Sequence, residues 1–259
     1  MDKRRATRDL IEHVVGAVEA ARVLEQPFYH LQYERIFPDD LYGEMLSAMP
    51  VAAEYRPLPG RDNVNLRADG TSTRVKIDLF PEYIRHLPVG KREVWDVVGR
   101  ALCSSEVQAV FMRRLAPGLA RRFGAGHADV AMYPIPVLTR DIPGYSIAPH
   151  PDTHWKGMTV QLYLARDDAH PNIGTIFHGR AADGSLTRDV QMRFAPNTGY
   201  AFAVGDDTWH SADPVGPQVE TRDSILLTYF VDSGLKRFLR NRAKRMGNLV
   251  LNEVRHLTR

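Results

Sequence analysis

Cysteine is nearly absent from this chain: Cys103 is the only one in 259 residues. A lone thiol closes no internal disulfide, so the fold must rest on its core and hydrogen bonds, and a reducing compartment, the cytoplasm, is the expectation. Long apolar runs are missing as well. The first 24 residues start basic, but Asp9, Glu12, His13 and Glu19 interrupt them, so neither a signal-peptide core nor a membrane span is expected there. Internal repeats, low-complexity tracts and Ser/Gly linkers are lacking too, and a single domain covering residues 1–259 is expected. Net charge is small, +3, and uneven: residues 236–259 hold eight Lys/Arg against one Glu, leaving the remainder net acidic. That basic end reads as a solvated terminal helix, with attraction to a phosphate-bearing substrate, nucleic acid or an acidic membrane surface as the weaker alternative.

What is present is ordinary globular material, 44% hydrophobic and 25% charged, enough to bury a sizeable core. Leu10, Ile11, Val14, Val15 and Val18 recur at helical spacing. Pro27 to Phe37 reads as a strand, followed by a helix through Leu41, Met45 and Leu46 that Asp39 or Asp40 would cap and Pro50 would stop. A polar loop over 54–70 is a candidate lid, with Asn63, Arg67, Arg74 and Lys76 in or near it. Thr73 to Phe80 fits a short strand. Lys91 to Cys103 and Ser105 to Ala116 fit two helices, the second stopped or kinked by Pro117 and Gly118. From Val130 onward the pattern shortens to strand lengths, at 130–139, 146–149, 158–164, 174–178, 200–204 and 224–231. A helix-rich part (1–129), a β-barrel core (130–235) and a basic C-terminal helix (236–259) make an α+β protein with a jelly-roll-like core, and such barrels hold sites in their interior.

Within the β region, His150 and Asp152 stand two residues apart, a spacing that turns both side chains to one side of an extended chain. They can share one metal. Iron(II) with open positions favours two imidazoles and one carboxylate on a single octahedral face, which calls for a second His downstream. His210 follows a buried strand and a Gly-Asp-Asp turn and is the first choice; His178 is its rival. Arg222 and Ser224 share one face at the start of an apolar strand, where a charge needs a partner. A guanidinium there would grip a carboxylate with two N–H groups, or form a structural pair with Asp223 or Glu220. On the strand 158–164, Thr159, Gln161 and Tyr163 form the polar face expected to line the pocket.

These residues resemble the 2-oxoglutarate- and Fe(II)-dependent dioxygenase superfamily, and look most like its prolyl-4-hydroxylase-like branch. Tyr145 to Val231 carries His150-Pro151-Asp152, then His210, then Arg222-Asp223-Ser224, in the family's order. Pro27 to Pro50, PFYHLQYERIFPDDLYGEMLSAMP, is similar to that branch's strand-helix entry, and the two stretches cover about 110 of the 259 residues. The resemblance implies a double-stranded β-helix with N-terminal helices packed on the larger sheet. It implies Fe(II) ligation by His150, Asp152 and His210, binding of the 2-oxoglutarate carboxylate by Arg222 with help from Ser224 and Tyr163, and O2 as oxidant. The reaction it implies is hydroxylation of an unactivated C–H bond in a small-molecule or amino-acid-type substrate, with release of succinate and CO2. One departure is that the Gly-Gly pair often found after the barrel strand appears here only as Asn172-Ile173-Gly174-Thr175. Two other readings stay open: a catalytically silent metal-binding barrel acting as sensor or interaction module, and a nucleic-acid demethylase suggested only by the basic tail. Nucleic acid is not the expected partner, and the sequence leaves a homodimer open.

Overall fold

A computed structural model describes residues 2–58 and 64–232. The basic segment read as a C-terminal helix, and Asn63 of the candidate lid, lie outside the described residues. Helix α1, Lys3–Glu19, begins where the Asp2 carboxylate accepts the backbone N–H groups of Arg4 and Arg5, and it buries Leu10, Val14 and Val18 at fourfold spacing. After strands β1 (Arg22–Leu24) and β2 (His30–Glu34), helix α2 spans Asp39–Ser47. Its cap is Pro38, with no side-chain bond; Asp39 and Asp40 lie in the first turn, where they favour the helix through its dipole instead of capping it as expected.

Strands β3 (Arg56–Pro57) and β4 (Arg74–Asp78) precede helices α3 (Val89–Leu102) and α4 (Ser105–Arg114). Arg74 and Lys76 lie on β4, within the strand expected over Thr73 to Phe80 and beyond the polar loop. The second helix breaks just before Pro117, as expected of a stop or kink there. The chain bends at Leu115 and resumes as α5, Ala116–Phe123, with the proline in the first turn, where its missing N–H costs nothing.

The remaining strands are β5 (Met132–Asp141), β6 (Ile147–His150), β7 (Lys156–Leu164), β8 (Ile176–Arg180), β9 (Leu186–Gln191), β10 (Pro196–Ala203), β11 (Trp209–Ala212) and β12 (Arg222–Val231). They form two antiparallel sheets, of order β1-β2-β10-β7-β12-β5-β4-β3 and β6-β11-β8-β9. None of the described helices is long and apolar enough to cross a membrane.

The larger sheet is sorted by face. Leu138, Val160, Leu162, Ala201, Ile225 and Leu227 point to one side, where they meet α1, α3 and α4 through Val14, Val18, Trp95, Val98 and Phe111. This is the expected arrangement of helices on the larger sheet, and period-two alternation leaves the opposite face for the site. There the smaller sheet packs across through Phe177, whose ring lies 4.6 Å from Phe28, 5.0 Å from Tyr200 and 5.6 Å from Phe202.

Helix α3 comes unusually close to the chain beyond β4. A Cβ at Gly99 would stand 2.2 Å from the Leu79 carbonyl oxygen, backbone that cannot rotate away. Gly99→Ala is therefore expected to destabilise the fold by about 1–3 kcal/mol in urea unfolding, the usual cost of overpacking; an unchanged midpoint would contradict the close approach.

Candidate active site

Strands β6 and β11 pair so that His210 lies opposite His150, and the two rings come to 4.5 Å between centroids. Each ring is held the same way. His150 Nδ1 lies 2.9 Å from the Ala148 carbonyl and His210 Nδ1 lies 3.0 Å from the Thr208 carbonyl. A carbonyl only accepts, so Nδ1 carries the proton and Nε2 keeps its lone pair, the form a metal ligand requires.

Asp152 follows β6 and is tied to the larger sheet. Thr159 on β7 donates to Oδ2 at 2.6 Å, and the Lys156 ammonium donates to Oδ1 at 2.5 Å. Burial alone would raise this carboxyl; the Lys156 ammonium, with the Thr159 hydroxyl, outweighs it and brings it down to about 2. Burial lowers His210 to about 4 against the attraction of Asp152, so a neutral imidazole and an ionised carboxylate coexist at neutral pH. One ligand atom from each of His150, Asp152 and His210 lies within 4.8 Å of the others. Two neutral imidazoles and a carboxylate suit a divalent transition metal, and iron(II) fits this donor set.

The same face of the larger sheet carries a row of charge. Arg74, Asp141 and Arg222 are direct cross-strand partners on β4, β5 and β12. Asp141 Oδ2 accepts from Arg222 Nε and Nη2 at 3.0 and 2.9 Å and from Arg74 Nη2 at 2.8 Å, while Oδ1 accepts Arg74 Nε at 2.5 Å. Arg222 Nη1 also donates to the Ile173 carbonyl at 2.6 Å. Both guanidiniums cover the ring of Tyr145, at 4.0 Å for Arg74 and 5.1 Å for Arg222.

One row along, Thr139, Ser224 and Tyr163 are cross-strand neighbours. Ser224 Oγ lies 2.9 Å from Thr139 Oγ1, and the Tyr163 hydroxyl accepts the Thr175 N–H at 2.9 Å. Tyr200, whose hydroxyl donates to Thr175 Oγ1 at 2.8 Å, is pushed well up by burial first and Tyr163 next. Asp152 raises it further and Arg222 lowers it, so this hydroxyl lies within electrostatic reach of both the His/Asp cluster and the arginine row. On another side, a cavity of about 480 Å³ reaches Asp152 past Phe28, Arg121, His154 and Asp206.

The structure thus brings together His150, Asp152 and His210, and sets Arg222, Ser224 and Tyr163 on one sheet face in adjacent rows. His178 is turned elsewhere, with Nε2 2.7 Å from Ser211 Oγ. Asp223 points to the opposite face, paired with Arg140 at 2.7 and 3.1 Å. Sequence reasoning missed Asp141 and Tyr145 and named Arg74 only as a residue in or near a lid: Arg222 pairs neither with Asp223 nor with Glu220 but with Asp141, and the expected strand over 130–139 stopped two residues short of it.

No family model and no curated protein sequence matches the chain. Solved structures do. A prolyl-4-hydroxylase from Pseudomonas putida is 17% identical, with a TM-score of 0.50, over 86% of this chain and 100% of that one. A prolyl hydroxylase from Trichoplax adhaerens, in complex with a hypoxia inducible factor peptide fragment, is 13% identical, with a TM-score of 0.53, over 88% and 92%. The fold is similar to that of these two prolyl hydroxylases. The α-ketoglutarate-dependent epimerase SnoN of nogalamycin biosynthesis also matches, at 12% identity and a TM-score of 0.50, over 86% of this chain and 83% of its own.

Burial by itself pushes the Asp141 carboxyl up; Arg74 and then Arg222 overcome this and hold it below its ordinary 3.8. A depressed carboxyl stabilises the fold fully above its unfolded value, and that contribution fades as pH falls through the folded value. Asp141→Asn is accordingly expected to cost about 3–5 kcal/mol at neutral pH, as for breaking a buried pair, and to flatten the acid limb of the stability curve below about pH 4. Denaturant melts across pH check this, and equal losses at pH 7 and pH 2 would contradict it.

Proposed function

We propose that this chain is a 2-oxoglutarate- and O2-dependent iron(II) dioxygenase, a single domain whose two sheets form a double-stranded β-helix. The observation that carries the reading is the convergence of His150, Asp152 and His210, with both Nδ1 atoms committed to carbonyls and the carboxylate held ionised. In this reading Nε2 of each histidine and a carboxylate oxygen of Asp152 hold the metal. Iron(II) bound there supplies the activation of O2, coupled to decarboxylation of 2-oxoglutarate to succinate and CO2, with the second oxygen atom entering a C–H bond of the substrate.

The protein's own share is positioning. The Ala148 and Thr208 carbonyls fix the ring tautomers, and Thr159 and Lys156 fix the rotamer and charge of Asp152. Arg222 anchors the distal carboxylate of the co-substrate, and Tyr163 and Ser224 form the polar floor beside it. Phe28, Phe177 and Phe202 exclude water from the side of His210, whose ring lies 5.3 Å from Phe202. The cavity beside Asp152 has the volume of a small-molecule site, and a small-molecule or amino-acid-type substrate enters there, past His154.

Succinate release from 2-oxoglutarate, assayed with Fe(II) and air over a panel of amino acids and small metabolites, tests this reading. Turnover is expected to depend on iron, to rise with one class of substrate, and to add one oxygen atom to it by mass spectrometry. Asp152→Ala should reduce it to background. Absence of succinate formation with every substrate would favour a catalytically silent barrel, and succinate formation that does not need iron would contradict the metal-centred reading.

A further inference from the structure

The arginine row holds more positive charge than its carboxylate balances. Side-chain exposures are 18% for Arg74, 1% for Asp141 and 6% for Arg222, so two largely buried guanidiniums share one buried carboxylate, and among the described residues one positive charge is left uncompensated. A surplus charge of that kind costs several kcal/mol in a folded protein unless something neutralises it. The aromatic ring of Tyr145 softens the cost for both cations but carries no charge.

The remaining hydrogen-bonding capacity points the same way. A guanidinium has five N–H donors. Arg222 places two on Asp141 and one on the Ile173 carbonyl, and Arg74 places two on Asp141. Five N–H groups between them are left without an acceptor among the described residues. Asp141 takes both arginines by the Nε/Nη2 edge, which holds the two planes in place without using them up. Nearby charges are engaged elsewhere: Arg140 with Asp223 on the opposite face, Lys76 with Asp78, and Arg67 with the Pro143 carbonyl.

From this we infer that Arg74 is a second cation of the co-substrate site, and that Arg74 and Arg222, braced by Asp141 and Tyr145, together receive one carboxylate. The inference rests on the 2-oxoglutarate reading and adds to it a residue from β4, a strand at the far side of β5 from Arg222. Asp141 is a positioning residue here: it orients both guanidiniums and keeps the surplus to a single charge, matched to a monoanionic group.

Calorimetric titration of the full-length, Mn(II)-loaded protein without O2 tests the inference, with two probes: 2-oxoglutarate, and 2-oxopentanoate, which has a methyl group in place of the distal carboxylate. Arg74→Gln is expected to weaken 2-oxoglutarate by about ten- to a hundredfold, the scale of one charge-assisted bond, and to leave 2-oxopentanoate and Mn(II) affinity unchanged. Arg74→Lys, which keeps the charge, should lose less, and it serves if the Gln variant does not fold. Equal losses for both probes would mean a structural role and overturn the inference. So would an unchanged 2-oxoglutarate affinity in Arg74→Gln alongside a loss in Arg222→Gln, a result that leaves the co-substrate reading standing. If the unaltered protein does not bind 2-oxoglutarate, both fall together.

Discussion

The pairing of two short strands, β6 with β11, is what the rest of the site depends on. It sets His210 across from His150, and the carbonyl two residues before each ring fixes the proton on Nδ1. Neither strand could do this alone, since each is four residues long and contributes one imidazole. The third donor arrives because the chain leaves β6, passes Asp152 and enters β7, where Thr159 catches the carboxylate. The cluster is therefore a stitch between the two sheets, and a one-residue slip in β6–β11 register would turn one histidine outward.

Charge is arranged around this stitch in a second layer. Asp152 stays ionised because the Lys156 ammonium, with the Thr159 hydroxyl, outweighs its burial, while His210 stays neutral because burial outweighs Asp152. Three rows along the larger sheet, the balance is different: Asp141 is outnumbered by Arg74 and Arg222. One end of the polar face thus offers neutral and anionic donors suited to a cation, and the other offers a surplus cation suited to an anion. Tyr200 lies within electrostatic reach of both ends. A small molecule with a chelating head and a carboxylate tail matches that polarity.

Local pattern carried much of this. The two-residue spacing of His150 and Asp152, the turn before His210, and the alternation that puts Thr159 and Tyr163 on one face and Val160 and Leu162 on the other were all legible, because each depends only on strand geometry. The expected strands matched β5 to β8, β10 and β12 to within a few residues. Strand β9 was missed because LTRDVQ is polar and mostly exposed, and β11 because four residues give too little periodicity. The joining of Arg74, Asp141 and Arg222 in one row was beyond such reasoning. They lie 67 and 81 positions apart, and only cross-strand register makes them neighbours. Lys156 was overlooked for a different reason: it reaches Asp152 across a turn, where no periodic signal operates.

A crystal structure of the Mn(II)-loaded protein, with anomalous scattering to locate the ion, tests the central claim most directly. One ion is expected, about 2.0–2.3 Å from Nε2 of His150, Nε2 of His210 and a carboxylate oxygen of Asp152, in the range typical of such ligands. An ion bound elsewhere, or one that leaves out any of these three side chains, would contradict it.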